Sequence, residues 1–201
     1  MPPSHNPAKP GDSLLAAALL VLDDGGWDAL TLTAVAARAG VSRATAWRQL
    51  SSKEALVTAL LRQLADDYRE TLWPVLTATT PSVKRLRRAL YGLCDVADRH
   101  LPLLLASDVA FHQAHDDATI GAQFSEPLIR LLHDGVADGS VALRPDECER
   151  RGELLFNAVC WPYVHLRGRH GWPADAARGP LVDMLLAGLV NPQTPTTEGS
   201  Q

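Results

Sequence analysis

Leu56, Leu60, Leu64, Tyr68 and Leu72 recur at strict four-residue spacing, a stripe that only a long amphipathic helix can place on one side. The same rhythm runs along nearly the whole chain. No stretch shows sustained apolar–polar alternation with β-branched enrichment, so the expected fold class is all-α. Ser51-Ser52-Lys53-Glu54 opens the striped helix as a capping box, with the Ser51 hydroxyl accepting from the Glu54 backbone N–H while the Glu54 carboxylate reaches back. The stripe ends at Trp73-Pro74, and a helix of that length can link two domains.

Punctuation divides the rest. Asp12 or Ser13 caps a first helix that runs to about Asp23, where Asp24-Gly25-Gly26 stops it. Two short helical pieces, 33–39 and 43–50, meet at Gly40-Val41-Ser42. Val83, Leu86, Leu90, Leu93 and Ala97 mark a further helix, with Lys84, Arg85, Arg87 and Arg88 as its basic exposed edge. Residues 101–106 read as a short buried helix and 111–119 as a polar loop. A helix over 120–136 is expected to bend where Pro127 lacks a backbone donor, and Asp138-Gly139-Ser140 breaks it. Two longer helices, 146–166 and 174–190, flank a turn-rich segment at 168–173. Residues 1–11 read as a disordered tail and not a signal peptide, and 191–201 as a second disordered tail. The longest apolar runs, 14–22 and 101–106, fall well short of the roughly 18 residues of a spanning helix, so no membrane partner is expected.

The net charge of −4 would repel phosphate on average. Its distribution says otherwise. From Thr33 to Lys53 every charged residue is basic, namely Arg38, Arg43, Arg48 and Lys53, while Asp23, Asp24 and Asp28 precede the window and Asp66, Asp67 and Glu70 follow it. The same window has the core pattern of a helix-turn-helix. Val35, Ala36 and Ala39 face inward, Ala36 is small enough for a close helix crossing, and Gly40 supplies the turn, with Val41, Ala46 and Leu50 sealing the other side.

Residues 30–56 read L-T-x-x-x-V-A-x-x-A-G-V-S-x-x-T-x-W-R-x-L-x-S-K-E-A-L, and on this motif the chain resembles the TetR family of bacterial transcriptional regulators. The resemblance implies a three-helix DNA-binding head over 12–53 and a helical-bundle domain over 54–190. That second domain would begin with a linking fourth helix, bind an effector and dimerise through its last two helices. Carried over by position, Ser42, Arg43, Ala44, Thr45, Trp47, Arg48 and Gln49 belong to the recognition helix and its entry, with Arg48 placed to serve either a phosphate or an intramolecular carboxylate. Lys53 contacts phosphate, as does Thr33 at the start of the supporting helix. Arg43 is the candidate base reader, because a guanidinium pairs in a bidentate way with guanine. Three positions depart from the family pattern. Trp47 replaces a usual tyrosine and can donate but not accept, and Ala46 and Leu50 replace bulkier residues, which thins the head's core.

Tyr91, Phe111, Phe124, Phe156, Trp161 and Tyr163 are placed to line an effector pocket between central helices or to fill ordinary core. Leu154, Leu155, Ala158 and Val159 with Leu181, Val182, Leu185, Leu186 and Leu189 give the last helices more apolar surface than one protomer needs, which fits an isologous four-helix interface. His112 and His115 lie three apart beside carboxylates, but no third ligand is fixed by spacing, so a solvated loop and no metal are expected. His100, His133 and His165 are expected to be packed or exposed. Three cysteines without a C-x-x-C pair argue against disulfides and point to a reducing cytoplasm, and Cys94 and Cys160 are expected to pack as small apolar residues. Catalytic motifs are absent. The expectation is therefore a homodimeric repressor without a cofactor, released from double-stranded operator DNA by a small-molecule effector. The alternatives are a helical enzyme or ligand carrier, and a regulator controlled by a protein partner.

Overall fold

The computed structural model describes residues 10–110 and 118–190, with side chains over 13–106 and 124–190. Both expected tails, apart from residues 10 and 11, and the segment carrying Phe111, His112 and His115 lie outside the described residues. Nine α-helices and one 3-10 turn, Pro145–Glu147, make up the regular structure among the described residues, apart from an isolated antiparallel bridge between Val141 and Val190. The chain is all-α, as the periodicity predicts. It divides into two compact units, Met1–Leu64 with His100–Ala114, and Ala65–Arg99 with His115–Gln201.

The first unit contains α1 (Pro10–Ala29), α2 (Leu32–Ala39), α3 (Arg43–Gln49), the opening of α4 (Lys53–Leu76) and α6 (Leu101–Ala110). Helix α1 is interrupted at Gly26, where φ is 68° and ψ −163°, so the predicted glycine stop is present as a kink. Leu14, Ala18 and Leu22 of α1, Leu30 between α1 and α2, Val35 and Ala36 of α2, Ala46 of α3, Leu56 and Leu60 of α4 and Leu103 of α6 form one buried cluster. Ala36 and Ala46 are both fully buried in it, and side chains this small let the short α2 and α3 pack closely. Helix α6 is less buried than its sequence suggests: Leu103 is covered, and Leu101, Leu104 and Leu105 are only half-buried.

Helix α4 corrects two expectations. Its cap is Ser52, whose Oγ accepts from the Ala55 N–H at 3.1 Å, one residue later than the Ser51 of the expected box. The Ser52 hydroxyl, followed by a backbone N–H, also holds the exposed Glu54 carboxyl below its usual range. At the far end the helix runs through Trp73-Pro74 to Leu76, and Thr77 closes it by donating from its N–H and its hydroxyl to the Trp73 carbonyl, at 3.2 and 3.0 Å.

The second unit is built from the rest of α4, α5 (Ser82–Arg99), α7 (Ala118–Ala137), α8 (Cys148–Gly168) and α9 (Ala174–Ala187), with α5 touching α7, α8 and α9. Helices α7 and α8 approach closely at Gly152, where an added Cβ would sit 2.3 Å from Ile129 Cγ1 and 3.0 Å from its backbone nitrogen. The predicted basic edge of α5 is only partly an edge. Lys84 and Arg88 are exposed, but Arg85 pairs with Asp134 at 3.0 Å and donates to the Leu76 and Thr80 carbonyls and the Ser82 hydroxyl, and Arg87 is bound to Asp183.

The expected dimer-forming residues separate into two faces. Leu155, Leu181, Leu186 and Leu189 are buried inside the protomer, as are Val159 and Val182, and so have no surface for a partner. Leu154 is 56% exposed, Ala158 and Leu185 are half-buried, and the large exposed neighbours are Trp161 and Met184. Adjacent helical residues point about 100° apart, so the two apolar neighbours Leu154 and Leu155 must serve different faces.

Candidate nucleic-acid interface

The turn between α2 and α3 is built by caps. Thr31 Oγ1 accepts from the Ala34 N–H at 3.1 Å and so starts α2 at Leu32, which leaves Thr33 exposed in its first turn. Gly40 closes α2 at φ 68°, ψ 25°, a left-handed conformation that a side chain would strain, while the Val41 N–H bonds the Ala36 carbonyl at 3.0 Å. Ser42 then caps α3, its Oγ accepting from the Thr45 N–H at 3.1 Å and lying 2.9 Å from the Thr45 hydroxyl. Both hydroxyls are therefore committed to orienting α3.

With Ala46 turned inward, α3 presents Arg43, Ala44, Trp47, Arg48 and Gln49 outward, and Trp47 is 53% exposed. Cations in this window differ in their surroundings. Arg38 is paired with Asp24 of α1. The Lys53 ammonium donates to the Trp27 carbonyl at 2.8 Å and lies 4.4 Å from the centre of the Trp27 ring. Arg43 and Arg48 have no ion-pair partner among the described residues. The exposed face of α3 thus combines two uncommitted guanidiniums, an indole donor and an amide, the set that reads base edges and phosphates.

The aromatic candidates do not gather into one pocket. Phe124 lines a cleft of about 410 Å³ together with Ala65, Tyr68, Leu76, Pro127 and the charged Arg69, Glu126 and Arg130. Phe156 stacks on Phe124 with ring centres 5.7 Å apart, and Tyr68 packs tilted against it at 5.0 Å. Tyr91 lies instead under the Arg178 guanidinium, 5.2 Å from its ring centre, and Trp161 is on the surface of α8. Tyr163 is fully buried, donating to Asp98 at 2.7 Å, and Asp98 also accepts from Arg167 Nε at 2.7 Å. By its spacing Tyr68 is one of the apolar stripe of α4. Its hydroxyl donates to the Phe124 carbonyl, and burial drives its pKa far up, so it stays a neutral donor. The nearby Pro127, which perturbs helical bonding in α7, was the available signal.

Among the described residues no three metal-ligating side chains come together. His100 is buried, His133 and His165 are exposed, and His165 and His170 face each other with Nε2 atoms 3.0 Å apart. Cys94 is buried and its thiol is pushed up to about 12, chiefly by burial, while burial likewise raises the half-buried Cys160. No described helix is long and apolar enough to cross a membrane.

A capped two-helix turn on a third helix, with an outward basic face, defines a helix-turn-helix protein. The family described as bacterial regulatory proteins, tetR family, matches residues 14–60 of this chain. The chain is 34% identical over 120 residues to the HTH-type transcriptional regulator BetI of Rhizobium meliloti (strain 1021), a match covering 60% of this chain and 55% of that protein. It thus spans about half the length of that relative. It is 29% identical over 146 residues to the HTH-type transcriptional repressor KstR2 of Mycolicibacterium smegmatis, covering 70% of each. Among solved structures, the fatty acid degradation regulator FadR from Bacillus halodurans superposes with a TM-score of 0.72 at 14% identity over 91% of this chain and 97% of that one. A transcriptional regulator from Rhodococcus sp. RHA1 gives 0.71 at 22% identity over 89% and 97%. These superpositions show the fold.

Proposed function

We propose that the chain is a homodimeric transcriptional repressor that places two copies of α3 in successive major grooves of a near-palindromic operator. One observation carries this reading: Arg43 and Arg48 are exposed on α3 and lack carboxylate partners among the described residues, while Arg38 on α2 is paired with Asp24. Arg43 reads a guanine, Arg48 and the first turn of α2 at Thr33 hold phosphates, and Trp47 and Gln49 contact the groove or its edges. The second copy docks on the outward face of α8 and α9, where Leu154, Ala158 and Trp161 recur at helical spacing and Met184 is 67% exposed. The protein works in the cytoplasm.

Release follows when an effector occupies the cleft at Tyr68 and Phe124 in the second unit. Only a ligand that binds the DNA-incompetent state more tightly can supply the coupling free energy. A mobility-shift titration on the gene's own promoter region, with nonspecific competitor, tests the central assignment. A specific shift that persists in competitor is expected, and equal affinity for promoter and competitor DNA would overturn it.

A further inference from the structure

We propose that Lys53 is a positioning residue that ties the first turn of α4 to the end of α1, and not one of the head's phosphate contacts; this rests on the DNA-binding reading above. A lysine as the first residue of a helix is unfavourably placed, since the N-terminus carries the positive end of the macrodipole. The unfavourable placement is resolved by another helix. The helical run of α1 is broken at Gly26, whose φ of 68° and ψ of −163° are non-helical, and the turn beyond it contains no basic residue of its own. Lys53 supplies the missing cation, donating from Nζ to the Trp27 carbonyl at 2.8 Å while lying over the Trp27 indole at 4.4 Å. Indole is the strongest ring partner for an ammonium, and the contact is partly buried, where it is screened less than at an open surface.

The location of this tie gives it consequence. Trp27 directly follows the kink at Gly26, so the ammonium holds the segment by which the chain leaves α1. Helix α1 packs on α2 and α2 on α3, and Leu56 and Leu60 of α4 enter the same buried cluster. Lys53 therefore fixes the angle between α1 and α4, and through it the orientation in which α3 is presented. Arg43 and Arg48, by contrast, point to solvent and have no such internal anchor.

Salt dependence separates the two roles, because each phosphate neutralised steepens the slope of log affinity against log salt by about 0.9, whereas a positioning contact does not alter it. The probe is a duplex enriched from a random-sequence pool by the full wild-type chain. Lys53→Met and Trp27→Leu are each expected to lower its affinity about tenfold at every salt concentration with the slope unchanged, and the double variant to lose little more than either. Lys53→Arg should recover most of the loss. Arg48→Ala, as the phosphate control, should flatten the slope by about 0.9 per bound subunit. If thermal melting shows that Lys53→Met does not fold, Trp27→Phe replaces it: this variant keeps the carbonyl, weakens the ring contact and should reduce affinity two- to threefold at constant slope. A Lys53→Met slope flattened by about 0.9 per subunit, or affinity unmoved by the Trp27 substitutions, overturns the proposal. A wild-type chain that enriches no duplex overturns the DNA-binding reading and this inference with it.

Discussion

Helices α3 and α5 both carry arginines along what the sequence presents as a basic outer edge, and their fates differ. On α5 the edge is half consumed, because Asp134 of α7 takes Arg85 and Asp183 of α9 takes Arg87. On α3 neither Arg43 nor Arg48 meets a carboxylate among the described residues. The difference lies in the neighbours. The α5 arginines belong to a helix surrounded by acid-bearing helices, while α3 is the outermost layer of a small core and its own window contains no acid from Thr33 to Lys53. A run of arginines therefore says little about a partner until the carboxylates that fold against it are known.

Four measurements can break or sharpen that contrast. Replacing Arg43 and Arg48 together by alanine should weaken binding to a selected operator by about 2 kcal/mol or more, roughly thirtyfold, and leave the unfolding midpoint nearly unmoved. A drop in stability with unchanged affinity would make these arginines structural after all. Arg85→Ala should do the opposite. Its side chain is only 11% exposed, so its loss strands Asp134 and three acceptors, at a cost of about 2–3 kcal/mol in denaturant unfolding with operator affinity of the folded protein preserved.

Acid should act on the same end of α5. Burial alone would raise the Asp138 pKa, but hydrogen bonds from Ser140 and Ser82 outweigh it and hold the carboxyl at about 2. The Ser82 backbone N–H, at the start of α5, reaches Asp138 at 2.9 Å. The unfolded carboxyl titrates near 3.9, so the stabilisation is fully present above about pH 4 and is lost as pH falls toward 2. In Asp138→Asn that share of the acid dependence should vanish, which denaturant midpoints measured across this window would show. The smallest effect belongs to Arg87→Ala: its pair with Asp183 is exposed on both sides, so stability should change by less than about 1 kcal/mol, and a larger loss would mean that α5 is locked to α9 more firmly than two solvated side chains allow.

The head was legible because its signals are local. Gly40 must be where α2 turns, Ser42 can cap only the helix that follows it, and the apolar pattern of Val35, Ala36 and Ala46 is contained within a dozen residues. Where two adjacent residues offered the same chemistry, pattern could not choose. Ser51 satisfied the S-x-x-E spacing, yet Ser52 makes the cap, and Leu155 is inside the protomer while Leu154 points out. The cleft was legible only at Phe124 and its stacked neighbour Phe156, because Tyr68, Arg69 and Arg130 come together from helices some sixty residues apart. Lys53 was read by position in a motif, and its actual partner is 26 residues earlier in the chain.

Helix α6 has a consequence for the order in which the protein is made. Leu103 completes a buried cluster whose other members all precede Leu61, so the thirty-five residues of 65–99, which belong to the second unit, are synthesised before the last piece of the head arrives. A nascent chain that has just cleared α4 carries a nearly finished reading head with one apolar socket still open, a surface for chaperones or misassembly until α6 closes it. For the same reason, a transplant of the head onto another body must bring α6 with it or fill its place.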